Sequence, residues 1–227
     1  MDSFERKDLN TEKRNVGSSN IDELTTIQIL ELINNEDSSI PKKITKVLKD
    51  IEKTIDICVE SLKSGGRVFY IGAGTSGRLG VLDASEIPPT FSAPKHIFTG
   101  IIAGGDAALK NSIEGAEDNP RQALIDLKTA LIKKDDVLIG VSASGAAKYV
   151  QSALVYAKSI QAKTVYLLCN QAPYLNAKTD AVIAVDTGPE VITGSTRMKA
   201  GTATKMVLNM ISTTTMIKLG KVYGNLM

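Results

Sequence analysis

The 227-residue sequence has no tryptophan, one histidine, two cysteines and only 4% aromatic residues. With His96 alone and Cys58 and Cys169 far apart, there is no His/Cys set at metal-ligand spacing, and no metal site is expected. A serine nucleophile is disfavoured too, because no G-x-S-x-G turn is present and His96 would have to serve as base. Both cysteines lie in apolar runs, as reduced core thiols of a cytoplasmic protein do, and they suggest no disulfide framework. Charge of one sign is also missing: 27 Lys and Arg face 25 Asp and Glu, a net +2. That balance creates no field for nucleic acid or a membrane surface, and no basic stripe alternates with aromatics. No run of 18 apolar residues exists to span a bilayer, and MDSFERKDLNTEKRN lacks the apolar centre of a signal peptide.

What is present is glycine in a particular place. Residues 66–83 read GRVFYIGAGTSGRLGVLD. Arg67 to Ile71 has the apolar, β-branched and aromatic content of a strand, and Gly72, Gly74, Gly77 and Gly80 follow at once. A strand that empties through glycines into a helix brings backbone N–H groups close to an anion. Thr75 and Ser76 add hydroxyls there, and Arg78 adds charge. The plainer alternative is that the glycines only let the helix pack tightly on its strand. Gly72-Gly74-Gly77 also matches the dinucleotide spacing, but that fingerprint needs an acid at the end of the next strand. His96 to Phe98 runs instead into Thr99 and Gly100, which favours a small phosphorylated metabolite over a nucleotide.

Taken in order, residues 1–20 are polar and expected to be extended or partly disordered, with Arg14 to Asn20 able to fold over a neighbouring surface. Ile21 to Ile33 is a first helix, and Ser38 to Ser64 a stronger one with Ile44, Val47, Leu48, Ile51, Ile55, Val59 and Leu62 on one face. Gly65 and Gly66 end it. Beyond the glycine turn the helix is expected to stop before Pro88 and Pro89. Asp106 to Ile113 has a helical pattern; Asn119 caps a further helix that Pro120 opens, running to about Leu131. Strands follow at Val137–Val141, Thr164–Leu168 and Ala181–Val185, a helix runs to about Ile160 between the first two, and a last helix covers Lys199–Leu219. Such strand, turn and helix units predict an α/β fold: a three-layer, mostly parallel five-stranded sheet with helices on both faces, plus N-terminal helices. Ligands of such sheets bind beyond the C-terminal strand ends.

Two sets of residues are placed to do chemistry. Ser142, Ser144 and Gly145, in the turn after the third strand, form a second phosphate-cradle candidate, with helix capping as the alternative. Glu86, in DASEIPPTF, is expected in a loop before the prolines, and Glu117 lies between Gly115 and Pro120. Constrained carboxylates beside an anionic ligand can serve as general acid and base, though ordinary surface acids have the same spacing.

The long motifs GAGTSGRLGVLDASEIPPTF, AGG followed by EGAED, and GPEVITGSTRMKAGTATKMVLNM closely resemble those of N-acetylmuramic acid 6-phosphate etherases, members of the sugar isomerase (SIS) superfamily. The resemblance covers about Asn20 to Met227 and implies a single SIS domain with N-terminal helices over 21–227, preceded by the polar segment 1–20. A small C-terminal helical region that follows in the family is absent from these 227 residues. The implied activity is that of a cytoplasmic homodimeric lyase. It cleaves the D-lactyl ether of N-acetylmuramic acid 6-phosphate to N-acetylglucosamine 6-phosphate and D-lactate, in amino sugar catabolism and peptidoglycan recycling, without metal or organic cofactor. By the same resemblance Glu86 is the proton donor, Glu117 the second catalytic carboxylate, and Ser76, Ser142 and Ser144 correspond to sugar-phosphate binding; Thr75, Gly77 and Gly145 of the same two turns are expected beside them. Lys199 and Arg197 stand near the site or at a subunit contact. One departure stands out: the family has S-G-R-T-P where this chain has Ser144-Gly145-Ala146-Ala147-Lys148. The last motif is also similar to one in glucokinase regulatory protein, so a non-catalytic sugar-phosphate-binding regulator is the alternative; an aldose–ketose isomerase of the same fold is a third.

Overall fold

The computed structural model describes residues 6–175 and 177–227; of the polar segment 1–20, residues 1–5 lie outside the described residues. After short 3-10 turns come α1 (Thr26–Ser38), α2 (Ile40–Thr45) and α3 (Leu48–Lys63). Strands and helices then alternate as β1 (Val68–Gly72), α4 (Gly74–Phe91), β2 (Phe98–Ile102), α5 (Ala107–Lys110), α6 (Pro120–Thr129), β3 (Val137–Val141), α7 (Lys148–Ser159), β4 (Lys163–Leu168), β5 (Ala181–Ala184) and α8 (Lys199–Lys218). All pairings are parallel, in the order β2-β1-β3-β4-β5.

Side-chain alternation along the strands divides the core into two. Val68, Tyr70, Val137, Ile139, Val165 and Leu167 pack with α3, α4 and α8. Phe69, Ile71, Leu138, Tyr166 and Leu168 pack with α6 and α7 on the opposite face. A sheet covered on both sides needs apolar residues at every position, which is why these strands read as unbroken apolar runs. The three-layer α/β expectation is thereby met. Because β1 leads outward to β2 while β3 leads to β4 and β5, the loops after β1 and β3 diverge and leave a crevice between them.

Several local expectations need correction. The first helix starts later than Ile21: residues Ile21–Glu23 form a 3-10 turn, and α1 begins after Thr25, whose capping box with Gln28 fixes the start. The long helix over 38–64 is broken, since Val47 sits at φ −114 and ψ 13 between α2 and α3. Ile44, Val47 and Ile51 remain buried across the break, but Leu48 turns outward and is 47% exposed. The pattern at Asp106–Ile113 yields only the four-residue α5. The second strand starts at Phe98, two residues later than its pattern suggests.

The largest correction concerns Pro88 and Pro89, which lie inside α4 and do not end it. Each lacks an N–H, so the bonds these two residues would donate to the preceding turn are not made, but both fall in the final turn and little helix lies beyond them. Ile87 and Phe91, 2% and 7% exposed, hold that turn on the core, and the helix ends at Ser92, whose φ is +49. Glu86 is therefore a helical residue. At the other boundary, Asn119 accepts a bond from the Gln122 N–H and Pro120 opens α6, as expected.

The polar N-terminal segment is pinned to the sheet ends. The Thr11 N–H donates to Asn170 Oδ1 at 3.2 Å, and Asn170 Nδ2 returns a bond to Thr11 Oγ1 at 3.0 Å. Asn10 Nδ2 donates to Asp186 at 3.0 Å, Ser18 Oγ to the Val191 carbonyl at 2.8 Å, and Leu9 is 3% exposed. Cys58 and Cys169 are free and buried, and burial pushes both thiols up to about 12. Among the described residues no helix is long and apolar enough to cross a membrane.

Candidate active site

The crevice after β1 and β3 is an open cleft of about 380 Å³. Its floor comes from the first turn of α4 and from the turn before α7. The first backbone bond of α4 runs from the Gly77 N–H to the Ala73 carbonyl, so the N–H groups of Gly74, Thr75 and Ser76 have no partner within the helix. Among the described residues no side chain caps them. Three unpaired donors at the positive end of a helix dipole, with two hydroxyls beside them, suit an oxyanion. Across the crevice Ser142 and Ser144 are 5% and 9% exposed. Ser144 Oγ accepts from the Ala146 N–H at 3.3 Å and keeps its own proton for a ligand. The cap position of α7 is Ala147, without a side-chain bond, so the hydroxyls are not spent on capping.

The glycines mostly follow the packing alternative. A Cβ on Gly77 would lie 2.6 Å from the Gly72 carbonyl oxygen and 2.6 Å from Ile102, and one on Gly80 would lie 2.8 Å from Tyr70 Cβ. Glycine at these positions lets α4 lie on β1 and β2; Gly74 instead adopts a φ of +53 to start the helix. Gly145, at φ +73, turns its N–H onto the Ser142 carbonyl.

Thr75, Ser76, Ser142, Ser144 and Glu117 thus line one cleft; Gly77 and Gly145 shape it from behind. Glu117 sits in a 3-10 turn, with its side chain 46% exposed and 3.5 Å from the Arg6 guanidinium. Glu86 is not in this cleft. It faces a separate groove between α4 and α8 that the residues after α8 also line. Ten residues separate it from Ser76 on one straight run of helix, which amounts to about 15 Å of rise. Arg78 lines the cleft but donates to the Leu109 and Asn111 carbonyls at 3.2 and 2.8 Å, fixing the loop after β2. Of the two alanines that depart from the family pattern, Ala147 lines the cleft and Ala146 does not. Lys148 pairs with Asp118 at 3.6 Å, and His96 is exposed before β2.

Two buried acids, Asp83 and Glu190, and the partly buried Glu36 support this arrangement. Asp83, 5% exposed on α4, accepts from Tyr70 Oη at 3.0 Å, Asn209 Nδ2 at 2.7 Å and Ser212 Oγ at 3.1 Å. Burial raises its carboxyl above the ordinary range in spite of those bonds. Glu190, fully buried, accepts from the N–H groups of Lys199 and Ala200 at 2.9 Å each and so caps α8; burial raises it too. Lys199 itself is buried and pairs with Glu36 of α1. Burial opposes ionisation of Glu36, but bonds from Lys199 and Asn15 and the charges of Lys199 and Lys43 outweigh it and lower the carboxyl. Lys199 is therefore tied inside the fold, away from the cleft lining.

Sequence reasoning missed Arg6, Glu12, Gly194 and Thr196, which also line the cleft. The segments after β5 and at the N-terminus have no strand–turn–helix signature; Gly194 and Thr196 lie in the long motif over Gly188–Met210, which points to the family without placing them in the cleft, and nothing in the sequence singles out Arg6 or Glu12. Among the described residues no group of His, Cys, Asp and Glu has the arrangement to hold a metal ion.

A 2-1-3-4-5 parallel sheet with a polar, oxyanion-suited crevice at its switch point is a doubly wound α/β architecture, and the sequence places it among sugar-isomerase (SIS) domains. Family models agree: the glucokinase regulatory protein N-terminal SIS domain matches residues 46–158 and the SIS domain residues 119–213. Solved structures share the fold, among them a phosphoheptose isomerase from Neisseria gonorrhoeae, with TM-score 0.63 at 16% identity over 84% of this chain and 98% of that one. Another is a Vibrio vulnificus NanR protein complexed with ManNAc-6P, with TM-score 0.60 at 12% identity over 85% and 64%. Curated relatives are much nearer in sequence. N-acetylmuramic acid 6-phosphate etherase 1 of Bacillus licheniformis is 51% identical over 100% of this chain and 75% of its own. The N-acetylmuramic acid 6-phosphate etherase of Caldanaerobacter subterraneus is 52% identical over 97% and 72%. The chain belongs to the N-acetylmuramic acid 6-phosphate etherase family.

Proposed function

We propose that this protein is a cytoplasmic lyase that cleaves the D-lactyl ether of N-acetylmuramic acid 6-phosphate, giving N-acetylglucosamine 6-phosphate and D-lactate. The observation that carries the reading is a cleft with unpaired donors at one end and Glu117 at its rim, in a chain half identical to etherases along its whole length. The phosphate takes the N–H groups of Gly74, Thr75 and Ser76 together with the hydroxyls of Ser76, Ser142 and Ser144. These donors are mostly neutral, so they hold the dianion without adding positive charge that would compete for the catalytic carboxylates.

The chemistry follows from the open-chain sugar. Its C1 aldehyde acidifies the proton at C2, which Glu117 removes. The C2–H electron pair forms the C2=C3 double bond, the C3–O bond breaks, and the departing lactate oxygen takes a proton from Glu86. Water then adds to the unsaturated aldehyde. Its oxygen joins C3, its proton restores Glu86, and Glu117 returns a proton to C2, so both acids end as they began.

Glu86 can act only if it comes from a second copy, because it lies about 15 Å along α4 from the phosphate donors of its own chain. A homodimer that packs the α4–α8 face of one copy over the cleft of the other supplies it. The face supports this: Leu82 and Ile217 are each 50% exposed beside Glu86. The phosphorylated amino sugar and a second copy are the partners.

Release of D-lactate from N-acetylmuramic acid 6-phosphate, read with a coupled lactate dehydrogenase, tests the reading. Turnover that depends on Glu117 supports it; saturable sugar-phosphate binding with no release would replace it with the regulatory alternative.

A further inference from the structure

We infer that Arg6 recognises the lactyl carboxylate of the substrate, which makes the N-terminal segment the part of the chain that tells the ether from its de-etherified product. The inference rests on the etherase reading and names the determinant of its specificity. The substrate is anionic at both ends. The phosphate has its donors at the first turn of α4, but the carboxylate hangs from C3, next to the carbon at which Glu117 works. A cation is needed there, within contact distance of Glu117.

Among the described residues only two cations line the cleft, Arg6 and Arg78. Arg78 sits one turn into α4, and its guanidinium donates to the Leu109 and Asn111 carbonyls. Arg6 is 3.5 Å from Glu117 Oε1, with its side chain 49% exposed. An ion pair between two half-exposed side chains is weakly held. A planar guanidinium gains more from a carboxylate that it can meet with two parallel bonds in a cleft closed by substrate. As Arg6 turns to the lactyl group, Glu117 Oε1 is freed to face C2. Substrate entry and exposure of the base thus become one exchange of partners. The product has no carboxylate at C3, so the Arg6–Glu117 pair re-forms and the product loses that contact.

Arg6 is not on a loose arm. The Leu9 N–H donates to the Arg6 carbonyl at 3.2 Å, and Leu9 is buried. Two residues further on, Thr11 is fully buried and doubly bonded to Asn170 in the loop after β4. The guanidinium is therefore presented over the cleft from a fixed point. Glu12 of the same segment also lines the cleft, near Gly194.

The test is binding in full-length Glu86→Gln protein, where lactate release is blocked, with and without Arg6→Ala or Arg6→Lys. N-acetylmuramic acid 6-phosphate and N-acetylglucosamine 6-phosphate are titrated calorimetrically into each. The expected result is that Arg6→Ala weakens the lactyl ether about tenfold to a hundredfold and shifts the de-etherified sugar less than about twofold. Arg6→Lys should recover part of the loss. Equal weakening of both ligands, as from a merely structural role, overturns the inference, as does no change in either. Lactate release by the unsubstituted protein is measured separately: its absence removes the etherase reading, while the ratio of the two affinities still decides whether Arg6 reads the carboxylate.

Discussion

At its first turn α4 offers the backbone donors of Gly74, Thr75 and Ser76 to the cleft, and along the same axis it carries Glu86 to a different groove. The first end is built from the main chain, and tight glycine contacts with β1 and β2 hold it in place. The second is built from side chains, with Asp83 buried under Tyr70, Asn209 and Ser212 and with Glu86 exposed one turn later. In the proposed reading, binding belongs to the strand–helix junction, and proton transfer to groups that a second copy brings together. A single helix serves two sites because it is longer than the substrate.

The largest expected effect sharpens that division. Glu86→Gln should lower the rate of D-lactate release by roughly 10²–10⁴ while the affinity for the sugar phosphate stays within about twofold. A parallel loss of affinity would place Glu86 among the binding groups. At the opposite end, Ser76→Ala should weaken N-acetylglucosamine 6-phosphate by about tenfold, the value of a hydrogen bond to a charged group, with kcat nearly unchanged. Unaltered affinity by calorimetry would move the phosphate elsewhere. Gly77→Ala tests the junction itself: its Cβ meets the Gly72 carbonyl and Ile102, so urea unfolding should show a loss of about 1–3 kcal/mol.

Much of the first end was legible in the sequence, because each step there is local. The strand, the glycine turn and the helix follow one another within a few residues, as do β3 and the turn with Ser142 and Ser144. Asn119 and Pro120 announce α6 in the same way. The second end was misread because Pro88 and Pro89 are strong local stop signals, and packing of Ile87 and Phe91 on the core overrides them. Arg6 and Glu12 were invisible for a related reason: Thr11 is held by Asn170, 159 residues away, and no local pattern encodes that contact.

The smallest expected effect is in the pH dependence of stability. Asp83 has a raised carboxyl in the folded state, chiefly through burial. Its contribution is full below the unfolded value and declines as pH rises through the folded one. Relative to Asp83→Asn, the parent protein should therefore lose stability with rising pH above about 4, by less than about 1.4 kcal/mol per pH unit. An advantage of the parent over Asp83→Asn that grows as pH rises would reverse the assignment.

The central claim is that one cleft takes Glu117 from its own chain and Glu86 from a second copy. Mixing Glu86→Gln and Glu117→Gln proteins, each inactive alone, and allowing subunits to exchange tests it directly. In a two-fold dimer each mixed pair then contains one site with both glutamates intact, and lactate release should return to about a quarter of the parent rate. A mixture that exchanges subunits and stays inactive would contradict the account and place both carboxylates in one chain's site.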